Sequence, residues 1–160
     1  MNQQEHLYDL LKDFATAMMV THAADGDMHA RPMAVAELRP GADAYFVTSV
    51  DSPKIADLES TPNATLTFQS ARQFASVYGT VQLERSQALI DRLWKDAWKI
   101  WFPKGKTDPS IVMLKFTPKH GEYWDNAGAR GLKYAFKAAA ALIKGETPKD
   151  DPEQHAKVNL

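Results

Sequence analysis

Ala44-Tyr45-Phe46-Val47-Thr48-Ser49-Val50-Asp51-Ser52-Pro53-Lys54-Ile55-Ala56-Asp57-Leu58 is the stretch on which the fold turns. Residues 44–50 form a β-branched and aromatic run that predicts a strand. Asp51-Ser52-Pro53 then predicts a helix start, with a capping hydroxyl and a proline at the first helical position. Lys54 falls in the first turn of that helix, where the macrodipole disfavours a cation by roughly 0.3 to 1 kcal/mol unless an anion is close. Free backbone N–H groups, the hydroxyls of Thr48, Ser49 and Ser52, and the Lys54 ammonium are the parts from which phosphate sites at helix N-termini are made. The same residues equally suit an ordinary cap with Lys54 extended into solvent.

Outward from this stretch, the chain of 160 residues is 44% hydrophobic, which suits one domain that buries roughly 70% of its unfolded surface. We expect that domain to span 1–145 and to be followed by a polar tail over 146–160. Nineteen basic and 20 acidic residues give a net charge of -1 with no long single-sign block. This leaves no electrostatic footprint for nucleic acid or a membrane surface. The polar, acidic start does not read as a signal peptide, and the longest apolar run, Ala138 to Ile143, is too short to span a bilayer. The expectation is a soluble, cytoplasmic protein. With no cysteine, disulfides, thiolate metal sites and cysteine nucleophiles are excluded.

Before the central stretch, Asn2 and Glu5 have capping-box spacing, and Leu7, Leu10, Leu11 and Phe14 recur at helical intervals. Met18 to Ala23 and Met28 to Leu38 predict a hairpin about Asp25-Gly26, which would set His22 opposite His29. No third metal ligand matches that pair, so the two are taken as surface or site-lining histidines and no metal site is expected. Pro32 has no N–H for a ladder, so its strand must be locally at an edge, at a bulge, or facing a ligand.

After the central stretch, Ala64 to Ser70 and Gln73 to Glu84 predict two more strands, with Gly79 as a bulge or point of close approach. Ser86 to Phe102 predicts one helix with Trp94, Trp98 and Trp101 on a broad face, read as core or dimer packing ahead of ligand stacking. Ser110 to Thr117 and Glu122 to Asp125 predict two strands about a turn at 118–121, and Trp124 at a strand end is placed to edge a pocket. Gly131 to Lys144 predicts a final helix, and the tail after Gly145 is expected to be only partly ordered. The sum is an α+β protein: six to seven antiparallel strands around a small β-barrel, with flanking helices.

Arg31-Pro32-Met33, Val47-Thr48-Ser49 leading to Lys54, Phe102-Pro103-Lys104-Gly105 and Glu122-Tyr123-Trp124-Asp125 occur in one order over nearly the whole chain. In this the sequence resembles the FMN-binding split-barrel superfamily of pyridoxamine 5'-phosphate oxidase-like proteins, and within it the general stress protein branch. The resemblance implies FMN as cofactor, with FAD as an alternative, and a homodimer. It implies that Arg31, Pro32, Met33 and Ala34 run along the flavin, and that Val47, Thr48, Ser49, Ser52 and Lys54 form its phosphate turn. It further implies that Gln73 contacts the ring and that Trp124 closes the pocket from the neighbouring subunit.

Oxidation of pyridoxamine phosphate is not expected. Relatives with that activity carry a basic residue where this chain has Pro53, and a C-terminal Arg and His pair that is absent here. His29 and Tyr123 are the best acid or base candidates, and both are expected to face solvent. The functional expectation is a flavin-binding stress protein, with flavin-dependent electron transfer as its activity. The alternatives are flavin storage or sensing, or a haem-binding barrel with His22, His29 or His120 as axial ligand.

Overall fold

The structure is a computed structural model that describes residues 1–149 and 151–160. Helix α1 (Gln3–Leu11) starts as its sequence requires: the Asn2 side chain accepts from the Glu5 N–H at 2.9 Å, and the Glu5 carboxylate accepts from the Asn2 N–H at 2.8 Å. Leu7, Leu10 and Leu11 carry its apolar face into the core. Strands β1 (Thr16–His22), β2 (Met28–Leu38), β3 (Ala44–Ser49), β4 (Asn63–Gln69), β5 (Gln73–Glu84) and β6 (Ile111–Asp125) follow. They pair antiparallel in the order β3-β2-β1-β4-β5-β6, and a β3–β6 pairing closes the barrel. Helix α2 (Pro53–Ser60) leaves β3, helix α3 (Gln87–Leu93) leaves β5, and helix α4 (Gly128–Lys144) and strand β7 (His155–Asn159) complete the chain. The expected α+β split barrel is the observed architecture.

Side-chain alternation builds two cores. The inward residues Ala17, Met19, Phe46, Leu66, Val77, Leu114 and Phe116 fill the barrel. On the outer face of β3 and β6, Tyr45, Ile111 and Met113 are covered by Ile90, Leu93, Trp98 and Phe102. Residues 111–114 are therefore buried on both faces, as a strand between two layers must be.

Four local expectations are corrected. The helix predicted over 86–102 ends at Leu93, because Trp94 is extended (φ -52°, ψ 135°); a 3-10 helix, Asp96–Ile100, follows. The break seats Trp98 and Phe102 together in the second core and leaves Trp101 outside at 62% exposure. The two strands predicted about 118–121 are one strand, β6, in which the register shift between Tyr78 and Gly79 leaves Lys119 without a partner on β5. Pro118 is thus absorbed in a bulge. Gly79 permits it, since a Cβ there would lie 2.2 Å from the Thr117 carbonyl oxygen. The β1–β2 hairpin has a longer loop, closed by Ala23 N–H to Asp27 O at 2.8 Å, so His29 faces Thr21 and not His22. The tail over 155–159 is ordered as β7, on the half of β6 that β3 leaves free.

Candidate functional site

The alternation of β2 decides what its edge offers. Val35 N–H donates to Ala15 O, so the main-chain groups of residues 29, 31 and 33 face β1, while those of 30, 32 and 34 face away. β3 pairs with β2 only from Val35 to Leu38. The other side of residues 28–34 is an open edge, and Pro32 sits there with no N–H to strand. The interruption expected at Pro32 is therefore an edge position.

At this edge, β2, the β3–α2 turn and the segment after the 3-10 helix enclose a cavity of about 380 Å³. Pro32, Met33, Ala34, Val47, Thr48, Ser49, Ser52 and Lys54 line it, joined by Trp101 and Phe102. Eight of the eleven residues singled out in the sequence come together here. Lys54 is buried at 8% exposure, and its ammonium donates to Thr48 Oγ1 at 2.8 Å and Ser52 Oγ at 2.5 Å. Ser52 makes no side-chain cap bond and serves the lysine instead. No carboxylate lies within ion-pair distance of Lys54 among the described residues, and one of its N–H groups is left for a ligand. Burial, and then the nearby Arg31, hold the ammonium below its ordinary pKa.

Arg31 stands beside this group. Its guanidinium donates to Thr21 Oγ1 at 2.6 Å and Met19 O at 3.3 Å, and lies 3.5 Å from Asp57 Oδ2. Asp57, one helical turn after Lys54, accepts from Thr21 Oγ1 at 2.8 Å and is 3.1 Å from His29 Nδ1. The Thr21 hydroxyl, with His29 and Arg31, draws its carboxyl below the usual range against the opposing effect of burial. One carboxylate thus serves Arg31 and His29 and none serves Lys54, so the pocket end at α2 carries surplus positive charge.

The remaining two candidates lie elsewhere in the chain. Gln73 faces Asp125 across β5 and β6 and donates to its Oδ1 at 3.2 Å. Trp124 is its neighbour, stacked on His155 with centroids 5.1 Å apart, and is 37% exposed. Between Pro32 and this end of β6 stand β1, β4 and β5, four strand spacings or roughly 19 Å along the sheet. Tyr123 does not face solvent: it is fully buried against His6 and donates to Pro152 O at 2.7 Å.

Sequence reasoning missed Asp57 and Thr21, and it put packing ahead of ligand stacking for Trp101, which the structure places in the cavity lining. The three-residue offset of Asp57 from Lys54 on one helix was the available signal for the first. A larger groove of about 590 Å³ lies on the outer sheet face between Tyr78, His120 and Lys157. Its aromatic pair is stacked and its Glu122 is bonded to His155 at 2.7 Å, so it holds no uncompensated buried charge.

A closed antiparallel barrel with a pocket at its open β2 edge defines the class as a split-barrel protein. The chain belongs to the pyridoxamine 5'-phosphate oxidase-like family, whose model matches residues 2–149. Among solved structures, the general stress FMN/FAD binding protein of Xanthomonas citri is 31% identical, covering 79% of this chain and 90% of its own, with a TM-score of 0.66. A general stress family protein of Xanthomonas campestris pv. campestris is 30% identical, covering 79% and 88%, with a TM-score of 0.65. General stress protein 26 of Jannaschia sp. CCS1 shares the fold over 98% of this chain and 97% of its own, at 24% identity and a TM-score of 0.72. No curated protein matches the chain. Among the described residues no helix is long and apolar enough to cross a membrane.

Proposed function

We propose that this protein binds a flavin through its phosphate, with FMN the expected form, and that it works as a homodimer. The observation that carries the reading is the buried Lys54 ammonium, held by two hydroxyls and, among the described residues, by no carboxylate at the N-terminus of α2. A buried cation without a counter-ion is costly unless a ligand supplies the anion. The flat strand Pro32-Met33-Ala34, with its free main-chain edge, suits the rim of a ring, and the apolar side chains of Met33, Val47 and Phe102 suit its face. Family membership and the Xanthomonas citri relative, described as FMN/FAD binding, support the same cofactor.

The uncovered sheet supports the dimer reading. Met18, Val20, Thr65, Thr67 and Ser76, on the outer faces of β1, β4 and β5, are only half-buried, while their inward neighbours are closed off. Pro32, Met18, Thr67, Ser76 and Glu122 form one row across this face. A two-fold axis through its middle would bring Trp124 of a second copy over the cavity at the Pro32 end. A bound flavin supplies the redox chemistry itself, so electron transfer to a small acceptor needs no catalytic side chain from the protein. The haem alternative does not fit this cavity, since His22 and His29 lie outside its lining and His120 lines the groove on the sheet face instead.

Titration with FMN and riboflavin tests the assignment. Lys54→Ala should weaken FMN strongly and riboflavin little; equal losses would remove Lys54 from the phosphate site.

A further inference from the structure

Helix α4 is built inside out. Its 17 residues carry Arg130, Lys133, Lys137 and Lys144 and no carboxylate, and the first three of these cations turn toward its own chain. Arg130 meets Asp125 at 3.0 Å, and Lys133 and Lys137 meet Asp151 at 2.8 and 2.7 Å. Of its side chains only Ala141 is buried. Leu132, Phe136 and Ile143, spaced as one helical stripe, are 62%, 70% and 87% exposed, and Leu142 beside them is 82% exposed. A continuous apolar face of this kind marks an interaction surface.

We infer that this stripe docks on a second copy of the chain, across the Ile100–Trp101 shelf at the rim of that copy's cavity. The inference rests on the flavin dimer proposed above and adds to it a strap over the site. Ile100 and Trp101 are 77% and 62% exposed, and Trp101 lines the cavity while Ile100 lies beside it. In the proposed two-fold pairing Trp124 reaches the other copy's cavity, and α4 begins four residues after Trp124, so the chain itself carries the stripe to that rim. The helix is about 25 Å long, enough to cross a pocket mouth. Four large side chains supply only part of the roughly 800 Å² that each partner of a stable complex buries. The stripe therefore extends the sheet-face contact and does not replace it.

The absence of cysteine makes the test direct. Ile100→Cys is combined in the whole chain with Leu132→Cys, Phe136→Cys or Ile143→Cys in turn, and with Tyr134→Cys, on the opposite side of the helix and 46% exposed, as control. Mild oxidation should give disulfide-linked dimers from one or two of the stripe pairs and none from the control, with or without flavin. Phe136→Ser should raise the dissociation rates of FMN and riboflavin alike by about tenfold, because a strap gates the pocket without touching the phosphate. Intrachain disulfides, or no cross-link while FMN still binds, would overturn the strap alone. Cross-linking without any flavin binding would leave the strap standing and remove the cofactor reading. Flotation with vesicles of anionic lipid, abolished by Phe136→Ser and accompanied by no cross-link, would assign the stripe to a lipid surface and overturn the inference.

Discussion

Two polar clusters are buried in this molecule, one at each end of the sheet, and they are settled in opposite ways. At the β5–β6 end Asp125, 2% exposed, accepts from His6 Nε2 at 2.8 Å, Gln73 Nε2 at 3.2 Å, Ala127 N–H at 3.1 Å and Arg130 Nη1 at 3.0 Å. Burial pushes its carboxyl up, and these donors together more than offset that and hold it below the ordinary range. At the α2 end Lys54 is buried with hydroxyl acceptors and no counter-ion, and nothing offsets the downward push of burial on its pKa. The first cluster ties α1, β5, β6 and α4 together and is complete within one chain. The second has no counter-ion among the described residues. A buried charge whose partners are all present reads as architecture, and one whose partner is missing reads as a site.

Mutations should separate the two. The largest effect is expected at the complete cluster: Asp125→Ala leaves His6 and Arg130 without their carboxylate and should cost about 3 to 5 kcal/mol of stability by denaturant titration. Because the native carboxyl is held low, the stability it contributes is present above its unfolded pKa and is lost as pH falls below about 4 toward the native value. Asp125→Ala should flatten that acid limb.

The incomplete cluster should respond in binding instead. Lys54→Met should lose about 100-fold in FMN affinity, about 2.7 kcal/mol, while the ligand-free protein keeps its stability or gains about 1 kcal/mol. A strongly destabilised Lys54→Met protein would mean that the lysine is structural after all. Asp57→Asn, which strips Arg31 and His29 of their carboxylate, should fall between the two with a cost of about 1 to 3 kcal/mol in thermal unfolding.

The smallest effect is a proton. The free Lys54 ammonium titrates below its ordinary value of 10.5, and a bound phosphate would push it back up. Between those two pKa values FMN binding should take up a fraction of a proton and weaken as pH rises, whereas riboflavin should do neither. Calorimetry of both ligands over a pH series on the alkaline side, in buffers of different ionisation enthalpy, measures this.

Most of the barrel was legible because alternation and turn chemistry are local. Residues 44–60 form the predicted strand and helix, and residues 73–84 the predicted strand with its tight approach at Gly79. Local reading erred where tertiary packing overrode it. Pro118 and Gly121 look like a turn, yet the ladder with β5 carries them through as a bulge. A helix through Trp94 fits the periodicity of 86–102, yet two large rings had to enter the second core and the helix stopped. The tail is polar and punctuated by proline, yet the free half of β6 gives it a partner. The site divides the same way. Residues 32–34 and 47–54 were found because strand, turn and helix start are contiguous, whereas Asp57 and Trp101 join them only through folding. Gln73 and Trp124 lie together in this chain, apart from the cavity, where only a second copy could bring them to it.

Pro32 has a further consequence, for solubility. Residues 28–34 are a seven-residue strand edge with no neighbour, and an open edge is a template on which other chains can add by main-chain hydrogen bonds. A proline in the middle of that edge, facing outward, removes the donor that an incoming strand would need most. Arg31 and His29 flank it with groups that an added sheet would have to desolvate. The residue that opens the edge toward a ring therefore also keeps it from seeding aggregates, and Pro32→Val should show its clearest defect as light scattering in concentrated ligand-free samples.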